Sequence, residues 1–336
     1  MTAPQIAAAV TLLDGGATVP FIARYRKEAT NNLDDTHLRT LEERLLYLRE
    51  LEERRQTILA SIDEQGKLTD ELRRAVEQAA TKQAVEDIYL PYKPKRRTKA
   101  QIAREAGLEP LANALFADPT LDPDQEAAKY VKVVAAAEGV EAVNVPDAKA
   151  ALEGARDILV ERFAETAELL ATLRTKLWNE GIVTSTVMPG KETAEEEKFR
   201  DYYAYSETIR TIPSHRALAM FRGRTVGVFN LDLGLAESRE AIVPHPCGAR
   251  VATHLGSIEN RGRRADKWLT DVCYWAWRVK VHLHLSTELL LQVREAAEAE
   301  AIKIFGRNLH ELLLAAPAGP KAVLGLDPGL RTGCKV

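Results

Sequence analysis

The chain has 336 residues, 46% of them hydrophobic and 28% charged, with a formal net charge of -3. That is enough apolar material for two or three domains with a sizeable core, and it excludes a disordered polyelectrolyte. The near balance of charge also excludes a uniformly basic nucleic-acid coat, so any basic surface has to be local.

Cys247, Cys273 and Cys334 lie far apart without CxxC spacing, which fits a reducing compartment, and all three are expected to be structural. No stretch reaches the roughly 18 consecutive apolar residues of a membrane helix, and the N-terminus lacks the pattern of a signal peptide. A cytoplasmic protein with no membrane contact is expected.

The opening APQIAAAVTLLDGGA enters a helix almost at once, as the continuation of a longer element would. Leu38, Leu41, Leu45, Leu48 and Leu51 then recur at three and four, predicting one helix from Asp34 or Asp35 to about Ile62 with a single apolar stripe. Gln65-Gly66 ends it, Thr69 caps a helix through about Ala80, and Lys82 to Tyr89 predict another short one. DPTLDPD, from Asp118 to Asp124, is a loop, and GVEAVNVPDAKA is a second break. A long helix from about Asp147 to Asn179 is predicted, with Ala151, Ala155, Ile158, Leu159, Phe163, Leu170, Leu173 and Leu177 near one stripe.

The capping-box pattern Thr193-x-x-Glu196 predicts a helix carrying Phe199 to Tyr205. A short helix follows from Ser214, then an alternating strand from Val226 to Leu233, then two helices from Trp268 to Leu314. AAPAGPK at 315 to 321 is a linker; beyond it Val323 to Leu326 predict a buried strand and Asp327-Pro328-Gly329 a tight turn. The expected fold is mainly α, an elongated multi-helix stack with a small β element near 224–250, divided into 1–212, 213–316 and 321–336. No fixed-period repeat is present.

Three cation-rich stretches are candidate binding sites. In TVPFIARYRKEATNNLDD, Arg24, Arg26 and Lys27 surround Tyr25; they either meet a phosphate backbone or exposed base, or pair with Glu28, Asp34 and Asp35. In YLPYKPKRRTKAQIAREAGLEPLA, Lys93, Lys95, Arg96, Arg97 and Lys99 fall together with no acid among them, a strip suited to phosphates or else an exposed loop without a partner. Residues 98–115 then have the shape of a helix-turn-helix, although EPLANAL offers few groups able to read base edges, so a structural hairpin is favoured. In the third stretch, 198 to 224, Arg210, Arg216, Arg222 and Arg224 interleave with Phe199, Tyr202, Tyr203, Tyr205 and Phe221, some of which must face the core. ENRGRRADKW adds Arg261, Arg263, Arg264 and Lys267.

Catalytic patterns are weak. His245, Cys247 and His254 match no zinc spacing, and neither a P-loop nor a GxSxG or GxGxxG occurs where a strand meets a helix. No metal, cofactor or catalytic residue is expected.

The strings TVPFIARYRKE, LEERLLYLRELEERR, DIYLPYKPKRRTKAQIAREAGLEPLA, KFRDYY, IPSHRALAMFRGR, LLLAAPAG and LGLDPGLRTG resemble, in order, the signature blocks of the Tex family of bacterial transcription accessory proteins. The resemblance implies a cytoplasmic nucleic-acid-binding protein without marked sequence preference, for RNA or single strands and possibly DNA. It also implies a link to transcription and to a partner protein of that machinery. In family order, an RNase H-like domain, helix-hairpin-helix repeats and an S1 domain would follow, so this chain is expected to be an N-terminal portion ending after the first RNase H-like strand. Two-metal nucleases need several carboxylates around their ions, and Asp327 alone cannot supply them, so no cleavage activity is expected.

Overall fold

The computed structural model describes residues 1–94, 96–132, 144–191, 197–236, 246–254, 261–317, 319–329 and 333–335. The elements run, in chain order, α1 (Ala3–Asp14), α2 (Val19–Tyr25), α3 (Asp35–Glu64), α4 (Asp70–Gln78), α5 (Lys82–Tyr89), α6 (Lys99–Glu105), α7 (Glu109–Ala117), α8 (Pro123–Ala128), α9 (Ala148–Ala164) and α10 (Ala167–Glu180). Then come β1 (Gly181–Val187), a 3-10 helix (Glu197–Tyr202), β2 (Ala204–Thr208), α11 (Ser214–Thr225), β3 (Phe229–Leu235), α12 (Pro246–His254) and α13 (Asp266–Ala276). A π-helical turn (Trp277–Val281), α14 (His282–Leu313), β4 (Asp327–Gly329) and β5 (Gly333–Lys335) complete it. The fold is mainly α with a small antiparallel sheet.

Contacts divide the chain into two compact units, Met1–Thr175 with Glu240–Leu285, and Lys176–Arg239 with Ser286–Val336. This differs from the division at 212 and 316 read from the sequence. The reason is pairing: β1 lies between β2 and β3, so the sheet ties 181–208 to 229–235.

In the first unit, α1, α2 and the start of α3 close on Ala9, Val19, Ile22, Leu33, Leu38 and Leu41. The second half of α3 packs with α4 and α5 around Leu51, Ile58, Leu59, Ile62, Val76, Val85 and Tyr89. Leu48, between the two clusters, is 44% exposed, so the single stripe expected on α3 is two short ones serving separate cores. The caps read from sequence are made: Asp34 accepts from His37 N at 2.8 Å, and Thr69 Oγ from Leu72 N at 3.2 Å.

The one helix expected from 147 to 179 is two. After α9 the chain bends at Glu165 (φ -109, ψ 7), the Thr166 hydroxyl donates to Arg162 O at 3.1 Å, and Leu170 N donates to Thr166 O at 3.0 Å as α10 begins. The eight stripe residues are nevertheless all buried. Helices α6, α7, α8 and α13 pack on α9, and α12 packs on α13. At Gly154 of α9 an added Cβ would lie 2.4 Å from Leu108 Cδ1, so glycine there is what lets the α6–α7 hairpin sit close.

In the second unit, β1 pairs antiparallel with β2 (Thr184 opposite Ser206) and with β3 (Val183 opposite Leu233). The helix expected over Phe199 to Tyr205 is only the 3-10 helix, after which the chain enters β2; β1 and β2 were not expected at all. The Thr193-x-x-Glu196 pattern lies outside the described residues. The strand expected at Val226 to Leu233 begins three residues later, because Arg222 O still receives Val226 N and Arg224 O receives Gly227 N as α11 ends, and Gly227 then turns the chain at φ 75. Phe229 fills this unit's core, edge-on to Phe199 with centroids 6.0 Å apart and against Gly223, where an added Cβ would strike its ring at 2.2 Å.

At the C-terminal end the expectation is reversed. Val323, Leu324 and Leu326 are 79%, 72% and 62% exposed in irregular backbone, while Asp327–Gly329, expected as a turn, pairs as β4 with β5. Among the described residues no sheet offers Val323 to Leu326 a partner, and without one an isolated apolar run has no reason to extend.

Candidate nucleic-acid interface

The strip after α5 is mounted at both ends. Tyr92 N and Lys93 N turn back to Tyr89 O at 2.8 and 3.0 Å, and Gln65 Nε2 donates to Tyr92 O at 2.9 Å. At the other end Thr98 caps α6 through Gln101 N, and its hydroxyl donates to Glu161 Oε1 at 3.0 Å. Glu161 is buried and also takes Arg104 Nη1 at 2.7 Å, so one carboxylate of α9 fixes where the strip ends. Between these anchors Lys93, Arg96 and Lys99 are exposed, and their side chains have no partner among the described residues. Arg97 differs: its guanidinium donates to Glu105 Oε2 at 2.8 Å. Lys95 lies outside the described residues.

The hairpin that follows turns at Gly107 (φ 78) and buries Leu111, Ala112 and Leu115 of α7. The exposed positions that open α7 are Glu109, Pro110 and Asn113, and Asn113 Oδ1 accepts Arg162 Nη2 at 2.6 Å. Two positions without a donor, and one amide already engaged, give α7 little with which to read base edges.

In the stretch from 18 to 35, two of the three acids serve local partners and one meets a cation of the cluster. Asp34 holds His37, Asp35 binds Arg39 Nε at 2.7 Å, and Glu28 takes Arg26 Nε at 3.3 Å. Arg24 and Lys27 remain exposed without a side-chain partner among the described residues, beside Tyr25, which is 63% exposed. Phe21, which sequence reasoning passed over, is 45% exposed one turn before Tyr25 on α2; its spacing of four was the available signal.

The third stretch is split. Arg216 Nη1 donates to the Tyr205 hydroxyl oxygen at 2.9 Å and to Glu207 Oε1 at 3.2 Å, and Glu207 Oε2, accepting a hydrogen bond from the Tyr205 hydroxyl at 2.6 Å, pushes that phenol's pKa up. Arg210 reaches Asn179 Oδ1 at 3.4 Å. These two have partners in their own chain, although both remain at the surface. Arg222 and Arg224 are exposed. Arg222 lines a cleft of about 470 Å³ with Lys198, Phe199 and His215, which joins the 3-10 helix to α11 within the stretch singled out in the sequence. Arg224 lines a groove of about 360 Å³ with Thr225, Thr287 and Arg294.

The basic loop before α13 is a folded cap. Arg261 N and Arg263 N donate to Asp266 Oδ2 at 2.8 and 2.9 Å, and Arg263 Nε donates to Oδ1 at 2.8 Å. Burial of Asp266 opposes its ionisation, but these bonds together outweigh it and hold the carboxyl below its ordinary 3.8. Cys247 and Cys273 are buried, and burial pushes the Cys273 thiol up to about 12; Cys334 is exposed and does not fill a core as expected. Among the described residues no group of three or more His, Cys, Asp or Glu could hold a metal, and no helix is long and apolar enough to cross a membrane.

Residues 1–63 match the family model described as Tex-like protein N-terminal domain, and residues 118–305 match that described as Tex central region-like. The chain is 58% identical over 338 residues to Protein tex of Bordetella pertussis and 58% identical over 333 residues to Protein YhgF of Escherichia coli. It is 54% identical over 334 residues to the Transcriptional accessory protein Tex of Neisseria gonorrhoeae. In each case the match covers 99% of this chain and 42% of the relative. Since the central-region match takes in more than half of its 336 residues, the chain belongs to the Tex family.

Proposed function

We propose that this chain is the helical portion of a cytoplasmic transcription accessory protein, that it binds nucleic acid through the sugar-phosphate backbone without sequence preference, and that it catalyses nothing itself. The observation that carries the reading is the strip of Lys93, Arg96 and Lys99, exposed and unpaired among the described residues between two fixed anchors. Cations held in place but left without an internal acid displace counterions when a phosphate chain lies over them, and the binding is then weak and steeply salt-dependent, with Kd on the order of 10⁻⁴ to 10⁻⁶ M at physiological salt. The link to transcription is supported by membership of the family and by the name of the Neisseria relative. RNA and single strands are the expected ligands, with DNA as the alternative.

The test is an anisotropy titration of the full chain with single-stranded RNA and duplex DNA across a salt series. Replacing Lys93, Arg96 and Lys99 together by Glu is expected to cost at least about tenfold in affinity at low salt and to flatten the salt slope by roughly two to three. Unchanged affinity and slope would dismiss the strip.

A second reading, a protein-interaction scaffold, is favoured by one observation: Ile302, Phe305 and Leu312 of α14 are 72%, 67% and 73% exposed, an apolar stripe in want of a partner. It takes precedence if the wild-type chain ignores both RNA and DNA at low salt.

A further inference from the structure

We infer that the exposed face of α2 is a base-stacking site for single-stranded nucleic acid, formed by the Phe21 and Tyr25 rings and flanked by the free cations Arg24 and Lys27. The inference rests on the nucleic-acid reading above but assigns a different contact, to bases and not to phosphates.

Helix α2 buries Val19 and Ile22 and turns Phe21, Arg24 and Tyr25 outward. The two rings lie one turn apart with centroids at 5.5 Å and an interplanar angle of 45°, and they are 45% and 63% exposed. Leaving two aromatic rings in water forgoes a substantial burial energy, and neither is needed to close the core, which Ala9, Val19, Ile22 and Leu33 complete without them.

The loop that follows α2 is tied by hydrogen bonds. Lys27 O accepts Asn32 N at 2.9 Å and the Thr30 hydroxyl at 3.3 Å, Gln5 Nε2 donates to Asn31 O at 2.9 Å, and Asn31 and Asn32 hold left-handed φ of 48 and 64. Asparagine tolerates that region better than other side chains, and two in succession fold the loop back so that Thr30 and Leu33 are buried.

The surroundings select the ligand. A protein partner would be met by a broader apolar patch, but the exposed residues that lie between the rings or follow them in the chain are mostly cations and short polar groups, Arg24, Arg26, Lys27, Asn31 and Asn32, and the one acid among them, Glu28, is taken up by Arg26. Rings able to stack on any base, with cations placed to take the adjoining phosphates, are the two halves of sequence-tolerant single-strand binding. A duplex keeps its bases stacked on one another and would engage only the cations.

The experiment compares two probes on the full chain at low salt, a single-stranded oligothymidylate and an abasic strand of the same length. Wild type is expected to prefer the base-bearing strand by roughly tenfold or more. The double substitution Phe21→Leu with Tyr25→Leu, at exposed positions, should erase that preference while leaving duplex binding and thermal unfolding unchanged. Tyr25→Phe should retain it, and Arg24→Glu with Lys27→Glu should weaken both strands alike. Equal binding of the two strands by wild type, or a preference that survives the double substitution, overturns the stacking site and leaves backbone binding standing. Failure of wild type to bind either strand overturns both.

Discussion

Two cation-rich regions differ in which of their described cations their own chain engages: Arg210 and Arg216 in the stretch from 198 to 224, where Arg222 and Arg224 stay exposed, and Arg97 in the strip after α5. In the stretch from 198 to 224, Arg216 lies within reach of Glu207 and the Tyr205 oxygen, and Arg210 within reach of Asn179, so both guanidiniums are engaged by their own chain. In the strip after α5, Lys93, Arg96 and Lys99 pass between anchors that engage Tyr92 and Thr98 and not the cations, which are left open. Positive charge in a sequence therefore stays available to an outside partner only where the fold withholds the chain's own acids. The short connection from β2 into α11 brings Glu207 to Arg216; no strand or helix brings an acid to Arg96 among the described residues.

That contrast can be broken most severely at a buried pair. Asp87 is almost fully buried and receives Arg174 Nη1 at 2.8 Å and Nη2 at 3.0 Å. Asp87→Ala strands that guanidinium and should lower unfolding free energy by about 3 kcal/mol in a denaturant titration, with nucleic-acid affinity unaffected below the unfolding range. The charge reversal of Lys93, Arg96 and Lys99 should do the converse, with a large loss of affinity and unfolding shifted by no more than about 0.5 kcal/mol. Arg216→Ala sits between them. Because the pair with Glu207 is partly exposed, the expected cost in stability is well below that of Asp87→Ala, with little change in salt slope; a slope change equal to that of the strip would erase the contrast.

The smallest effect is one of pH. Asp266 titrates below 3.8 in the folded chain, so its contribution to stability is complete above that value and is lost as pH falls through the lower folded value. Asp266→Asn should accordingly lower the unfolding midpoint at pH 7 and have less effect in strong acid. An equal loss at both extremes would assign the role to packing and not to charge.

Local chemistry accounts for what could be read in advance. Thr69 and Asp147 accept the backbone bonds their types predict at helix starts, and the apolar spacing of α9 and α10 gives the burial of Ile158, Phe163, Leu170 and Leu177. The break between those helices escaped notice because Ala164 to Thr166 contain no glycine or proline, the usual punctuation. The strands β1 and β2 were missed for a different reason. Their pairing residues lie about twenty positions apart, with β3 further still, and period-two burial in GIVTSTV is marked by threonine and serine as much as by apolar residues.

The candidate site divides the same way. Charge, helix caps and the family blocks are properties of short stretches, and the sequence by itself determined them. Which cations remain free was decided only by tertiary structure, since ion pairs form with acids distant in sequence, as Glu161 is from Arg104 and Asp87 from Arg174. The outward turn of Phe21 beside Tyr25 was decided there too: spacing places the two rings on one helical face, but only the closure of α1, α2 and α3 on Ile22 determines that this face is the one left in water.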